Sequence, residues 1–149
     1  GFNGRHFYIL KFRSMRVTED GRAMRPAVPG DERITPLGRF IRRTSIDELP
    51  QLLNVVRGDM SLVGPRPHAI SHDAELSQGF SLYARRQRIK PGITGWAQVN
   101  GYRGEIATQA QLEGRTLHDL DYVDNWSVWF DLKILWLTVF SRKVHRNAA

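Results

Sequence analysis

The sequence predicts a helix-dominated α+β fold, a single compact domain over residues 1–149 with short strands and amphipathic, membrane-surface helices. Three observations lead there. At 149 residues the chain can bury a real core, and its 41% hydrophobic and 25% charged composition is that of a folded protein rather than a disordered one. Helix-like apolar spacing recurs along the chain, whereas strand-like runs are few and short. Charge is unevenly placed. Residues 1–46 hold ten basic side chains against four acidic ones, so nearly all of the net +7 lies in this third.

Arginine outnumbers lysine, which favours forked contacts to phosphate over diffuse surface charge. The partner is then a nucleotide, a lipid phosphate, an anionic membrane surface or a nucleic acid. The absence of cysteine excludes disulfides and thiolate metal sites. No run reaches the roughly 20 apolar residues that span a bilayer, and no signal peptide is visible. The chain opens at Gly1-Phe2-Asn3-Gly4 without methionine, as a fragment of a longer protein does.

Taken in order, Phe7 to Met15 mixes aromatic and β-branched residues in the manner of a short strand, and residues 17–33 form a Gly- and Pro-rich loop. Thr35-Pro36 is a helix start, with threonine as N-cap and proline at the first helical position. Leu37, Phe40 and Ile41 share one face of that helix and Arg39, Arg42 and Arg43 the others. This is either a core-packing helix with a solvated basic face or, more sharply, one that docks on a membrane. The next helix carries Leu49, Leu52, Leu53 and Val56 at core-facing spacing and stops at Gly58. A turn-rich loop over residues 59–68 is stiffened by Pro65 and Pro67 around Arg66. Residues 69–90 are expected to be helical in part, until Pro91-Gly92 breaks the helix.

Ile93 to Gly101 is expected as a strand or extended loop closed by Asn-Gly. A long helix is expected over residues 106–123, with Leu112, Leu117, Leu120 and Val123 inward. Trp126 to Phe140 is too short to cross a membrane, and its tryptophans favour an interfacial helix over a buried one.

The chemistry concentrates at Asp47-Glu48. Ser45-x-x-Glu48 matches a capping box, which would make the pair an ordinary helix start. Pro50 opposes Ser45 as the cap, because it would fall fifth in the helix and forfeit a bond. With Asp47 as the cap, Pro50 falls third at little cost. The sequence leaves the cap open. Two carboxylates at a helix start would repel a phosphate unless a divalent cation lay between them, and this is the chemical argument for Mg2+ held by Asp47 and Glu48. Arg66, in its Pro-stiffened turn, suits a bidentate grip on phosphate; Lys11 and Arg13 could hold phosphate charge as well. His68 and His72 read as polar surface histidines.

Lys11 to Met15, Thr44 to Gln51, Gly58 to Pro67, Lys90 to Gly101 and Asp119 to Ser127 resemble, in order, the bacterial sugar transferase family of monotopic polyprenol-phosphate phosphoglycosyl transferases. The resemblance implies transfer of a sugar 1-phosphate from a UDP-sugar to polyprenol (undecaprenyl) phosphate, with release of UMP, at the start of exopolysaccharide, capsule or glycoconjugate synthesis. It implies Asp47 as nucleophile through an aspartyl phospho-sugar intermediate and Glu48 beside it as a catalytic or metal-binding partner. It also implies Arg66, Lys11 and Arg13 on phosphate, Asp119 in support of the metal or nucleotide region, and Mg2+ as cofactor. The form Gly-Pro-Arg-Pro-His-Ala resembles members that transfer glucose 1-phosphate. Family members begin with a re-entrant membrane helix that this sequence lacks. The chain is therefore expected to be the catalytic portion of a larger enzyme, at the cytoplasmic face of the bacterial inner membrane, against an anionic membrane surface and compatible with a homo-oligomer. Nucleic-acid binding is the rival from charge, without a recognisable nucleic-acid motif to support it. A non-catalytic peripheral membrane scaffold is the other.

Overall fold

The structure is a computed structural model that describes residues 1–16, 30–68, 82–104 and 108–140. Helices dominate it: α1 (Pro36–Arg43), α2 (Gln51–Val56), a short α3 (Trp96–Val99), α4 (Gln109–Asp124) and α5 (Val128–Phe140). Two three-residue strands, β1 (Ser61–Val63) and β2 (Gly92–Thr94), pair in parallel with Ser61 opposite Gly92 and Val63 opposite Thr94. The helix-dominated α+β class follows.

The core lies where α4 and α5 cover this small sheet. Val63, Val99, Tyr122 and Ile134 are buried together, with Ile89, Trp96, Phe130, Leu135 and Leu137 packed around them. Polar ties fix the layers: Thr138 and Thr94 share a hydroxyl hydrogen bond of 2.7 Å, and the Tyr122 hydroxyl donates to Asp131 at 2.6 Å. Gly92 is required by this packing. A Cβ there would collide with the backbone of Gly64 and lie 2.5 Å from the Thr94 carbonyl oxygen, so only glycine lets the two chains approach.

Local signals explain most elements. Thr35 caps α1 by accepting from the Gly38 amide at 2.9 Å, with Pro36 at the first helical position. Thr108 and Gln111 form a reciprocal capping box that starts α4. Gly58, at φ +81°, ends the α2 turn in the left-handed region.

Elsewhere the structure departs from expectation. Phe7 to Met15 is not a strand; its one bridge pairs Met15 with Ile34. The segment is held instead by the side-chain amide of Asn54, which donates to the Tyr8 carbonyl at 2.8 Å and accepts from the Leu10 amide at 3.0 Å. The α2 helix is inverted relative to its apolar pattern. Leu49, Leu52, Leu53 and Val56 are exposed, Val56 by 84%, while Gln51 and Asn54 are buried at 2% and 1%. Core-facing spacing identified the apolar face correctly but not which side of the helix the protein covers. The Leu37–Phe40 face of α1 is likewise exposed, so α1 is not core-packing.

Ile93 to Gly101 is only briefly a strand before Trp96 begins α3. Leu112 and Leu120 are inward on α4, whereas Leu117 is exposed. Within α5 only Ile134 is fully buried; Phe130, Leu135 and Leu137 pack against the core, and Trp129 and Trp136 are exposed. Residues 17–29 of the expected loop and residues 69–81 of the expected helical stretch, His72 among them, lie outside the described residues; Tyr83–Arg88 is a 3-10 helix. Among the described residues no helix is long and apolar enough to cross a membrane.

The Asn54 contact yields a stability prediction. Asn54→Ala would remove both bonds made by a buried side-chain amide, an expected loss of about 1–3 kcal/mol. Urea unfolding measures it, and Asn54→Asp, which sets a buried carboxylate oxygen against the Tyr8 carbonyl, should lose at least as much. An Asn54→Ala loss below about 0.5 kcal/mol would show that water replaces the bonds.

Candidate active site

The Asp47-Glu48 pair does not open α2. It occupies a 3-10 turn, Ile46–Glu48, between the end of α1 and Pro50, which itself precedes the first residue of α2. Ser45 is not a side-chain cap. It stands at φ +60°, an uncommon conformation for a residue with a Cβ, and makes no capping bond. Nor is Asp47 the α2 cap, because helix geometry begins only at Gln51. Pro50 stands immediately before α2, where its ring suits the entry to a helix and no intrahelical bond is forfeited. The turn is locked from outside. Arg103 donates to the Ser45 hydroxyl at 2.7 Å, and the Phe12 amide donates to the Asp47 carbonyl at 3.0 Å.

The two carboxylates, both buried, meet opposite environments. Glu48 is forked by Arg66, whose Nη2 donates to Oε1 at 2.5 Å and Nη1 to Oε2 at 3.3 Å. Lys11 Nζ lies 3.4 Å from Oε1 and Arg103 Nη2 lies 4.0 Å from Oε2. Burial opposes ionisation of Glu48, but the Arg66 guanidinium, followed by Lys11 and Arg103, outweighs it and holds the carboxyl down at about 2. Asp47 receives no hydrogen bond from another side chain among the described residues. Burial first, and the neighbouring Glu48 charge second, push its carboxyl above the ordinary aspartate range, against the pull of Lys11 and Arg42. One carboxylate is clamped and the other is presented. Such a split separates roles between adjacent acids.

Arg66 thus joins the site, as does Lys11, carried there by the segment that Asn54 anchors. Arg13, two residues on, is exposed and takes no part in the ion pairs around Glu48. Asp119 lies behind the site rather than in it. It is buried at 2% on α4, and its Oδ2 is 2.8 Å from Arg86 Nη2. Around Arg86 are the Tyr83 hydroxyl, 2.8 Å from Nη1, and His68 Nδ1, 2.9 Å from Nη1. His68 is therefore no surface histidine; its other ring nitrogen faces Arg115 at 3.1 Å. Arg115 is buried and its Nε has no hydrogen-bond partner among the described residues; burial lowers it to about 10.

Sequence reasoning missed Arg103, Arg86 and Arg115. For Arg103 a signal existed: the Asn100-Gly101 turn, with Gly101 at φ +98°, reverses the chain just before it. Arg86 was hidden in a basic run whose members look alike until folding buries only one of its arginines, and Arg115 was hidden on a helix with little amphipathic contrast.

Among the described residues no group of three or more His, Cys, Asp or Glu could hold a metal ion. The donors at the turn nonetheless suit a hard cation that shares its shell with substrate. The Asp47 carboxylate takes no side-chain hydrogen bond among the described residues, and Mg2+ commonly takes one or two carboxylates together with phosphate oxygens. Glu48 is the weaker donor, since Arg66 occupies both of its oxygens.

Comparison with known proteins bears on this arrangement. A family model described as Bacterial sugar transferase matches residues 1–144. The UDP-glucose:undecaprenyl-phosphate glucose-1-phosphate transferase of Escherichia coli (strain K12) is 50% identical over 148 residues, which is 99% of this chain and 32% of that protein. The undecaprenyl-phosphate glucose phosphotransferase of Komagataeibacter xylinus is 51% identical over 152 residues, 99% of this chain and 29% of that protein. The exopolysaccharide production protein PSS of Rhizobium leguminosarum bv. phaseoli is 43% identical over 145 residues, 95% of this chain and 72% of that protein. The chain thus spans about a third of the length of the first two.

Proposed function

Because the chain belongs to the bacterial sugar transferase family, we propose that it is the catalytic portion of an enzyme that transfers glucose 1-phosphate from UDP-glucose to undecaprenyl phosphate. The observation that carries this reading is the asymmetry of the acidic pair. Asp47 is buried and free of side-chain bonds, beside a Glu48 that is forked by Arg66.

Asp47 attacks the phosphorus attached to the sugar. A bond forms from its carboxylate oxygen to phosphorus, and the bond from phosphorus to the bridging oxygen breaks, so that UMP leaves with that electron pair. The product on the enzyme is an aspartyl phospho-sugar, a mixed anhydride that remains reactive. A phosphate oxygen of undecaprenyl phosphate then attacks the same phosphorus. Asp47 departs as a carboxylate, and undecaprenyl-diphosphate glucose is formed. Glu48 holds Arg66, and with it Lys11 and Arg103, in place before substrate arrives, so the positive charge that meets the phosphates is already oriented. Mg2+, when bound at Asp47 and the substrate phosphates, would offset phosphate charge.

The exposed apolar faces support a membrane-surface location, and a cytoplasmic one follows from the use of a nucleotide sugar. Leu37 and Phe40 on α1 lie with Arg39 and Arg43 on the same short exposed helix, and Leu53 and Val56 extend apolar surface on α2. Replacing Leu37, Phe40 and Leu53 together by serine is expected to leave the unfolding midpoint within about 2 °C, because exposed substitutions cost little. Sedimentation of the catalytic portion with phosphatidylglycerol vesicles should fall severalfold. Unchanged sedimentation would remove these faces from the membrane contact.

The proposed reaction is tested with the full-length enzyme and UDP-glucose labelled in the sugar, without acceptor lipid. The expected result is a stoichiometric, hydroxylamine-sensitive label on the protein together with UMP, and discharge of the label on adding undecaprenyl phosphate. Release of UMP only after the lipid is added, with no labelled protein, would replace the covalent route by direct transfer.

A further inference from the structure

Arg66 is held from two sides. Its guanidinium grips Glu48, and its backbone carbonyl accepts from Arg86 Nη2 at 2.7 Å. Arg86 comes from the 3-10 helix Tyr83–Arg88 and is only 5% exposed. Every edge of its guanidinium is in use. Nε and Nη2 fork onto Asp119 Oδ2 at 3.1 and 2.8 Å, Nη2 also reaches the Arg66 carbonyl, and Nη1 serves the Tyr83 hydroxyl and His68 Nδ1. The Arg86 guanidinium also lies 4.9 Å from the centre of the Tyr83 ring. His68 stands two residues after Arg66, so one side chain holds the Gly64-Pro65-Arg66-Pro67-His68 segment at two points. A planar fork can do this where an ammonium cannot.

We infer that Arg86 is a positioning residue for the transfer reaction. Oriented by the buried Asp119 carboxylate, it fixes the backbone of Arg66 so that the Arg66 guanidinium meets both Glu48 and the substrate phosphate. Asp119 acts two steps from the chemistry, through Arg86 and then Arg66. Pro65 and Pro67 limit the backbone of the turn, and Arg86 supplies the external point that sets its place relative to the acidic turn. The inference rests on the proposed function for its kinetic part and on geometry alone for its structural part.

Two measurements separate these parts. The first is a structure of the full-length Arg86→Lys protein. Lysine keeps the charge toward Asp119 but cannot also hold the Arg66 carbonyl and His68. The expected result is an Arg66 side chain displaced from Glu48; an intact Arg66–Glu48 pair overturns the inference whether or not the enzyme turns over.

The second is a double-mutant cycle on kcat/KM for UDP-glucose. Arg86→Lys is expected to lower kcat/KM about 10- to 100-fold in the wild-type background, since small misplacement of a positioned charge is costly. In an Arg66→Ala background it should lower it less than about 2-fold, because there is no guanidinium left to place. Independent, multiplying losses would show that Arg86 acts otherwise than through Arg66. Asp119→Asn, which keeps an oxygen toward Arg86 and removes the charge, carries both measurements if Arg86→Lys does not fold. Absence of UMP release in the wild-type enzyme would count against the proposed function, and the structural measurement would still decide the positioning.

Discussion

Asp47→Asn is expected to abolish UMP release, lowering turnover at least about a thousandfold, while the protein unfolds at a temperature equal to or above that of wild type. The two halves come from the same observation. An amide cannot form the acyl phosphate, so the covalent step is lost. Asparagine keeps the shape of the side chain and removes a charge that the fold disfavours. Burial and the neighbouring Glu48 raise the Asp47 carboxyl, so the folded state binds that proton more tightly than the unfolded chain does. The sign follows from linkage. The contribution of Asp47 to stability is most favourable at low pH and declines as pH rises between its unfolded and its folded value. At neutral pH the ionised side chain is a net cost, which asparagine removes. Since the nucleophile must be ionised, the acid limb of kcat/KM should also lie above the ordinary aspartate value of about 3.9. Wild-type turnover in the variant would sink the nucleophile assignment. A lowered unfolding temperature would show that Asp47 is held for structural reasons.

The sequence made the acidic pair and Arg66 legible because their signals are local: a Pro-stiffened turn, adjacent acids and a family-like order of blocks. The helix start at Thr35 is legible for the same reason, since caps act within four residues; the Thr108 cap is equally local, although the helix is expected from residue 106. What escaped is what depends on the far side of a packing interface. Leu49, Leu52, Leu53 and Val56 define a face, and nothing within the helix says whether protein or something else covers it. Here the buried side carries Gln51 and Asn54, which a hydrophobic pattern assigns to solvent. Asn54 earns burial through hydrogen bonds to Tyr8 and Leu10, residues 44 to 46 positions away. Arg86 and Asp119 are 33 residues apart and meet only after folding. Arg13, two residues from Lys11, shares its charge and family-like context but not its place: it is exposed and outside the ion pairs around Glu48.

Arg66→Ala should be the most damaging change that leaves the nucleophile in place. It removes the fork from Glu48 and the charge proposed to meet the phosphate, and activity is expected to fall on the order of 10²- to 10³-fold, as when a preorganised charge is removed from a transition state. Stability should fall by about 3 kcal/mol at neutral pH, the low end for breaking a buried pair. The low end applies because Lys11 and Arg103 remain beside Glu48 and because the Arg66 side chain is 22% exposed. The pH dependence identifies the cause. Glu48 is held at about 2 in the folded protein, below its unfolded value near 4.5, so its contribution is present above about pH 4.5 and is lost as pH falls toward 2. Without Arg66 the folded value moves up toward the unfolded one, and most of that contribution disappears. The stability difference between wild type and Arg66→Ala should therefore be largest near pH 7 and shrink as pH drops below about 4.5. Urea unfolding at pH 7 and pH 3.5 measures both. A difference that does not change with pH would mean that the Arg66 side chain stabilises the turn by packing. Glu48 would then be held by Lys11 and Arg103 alone, and the guanidinium would lose its assigned place between the acid and the phosphate.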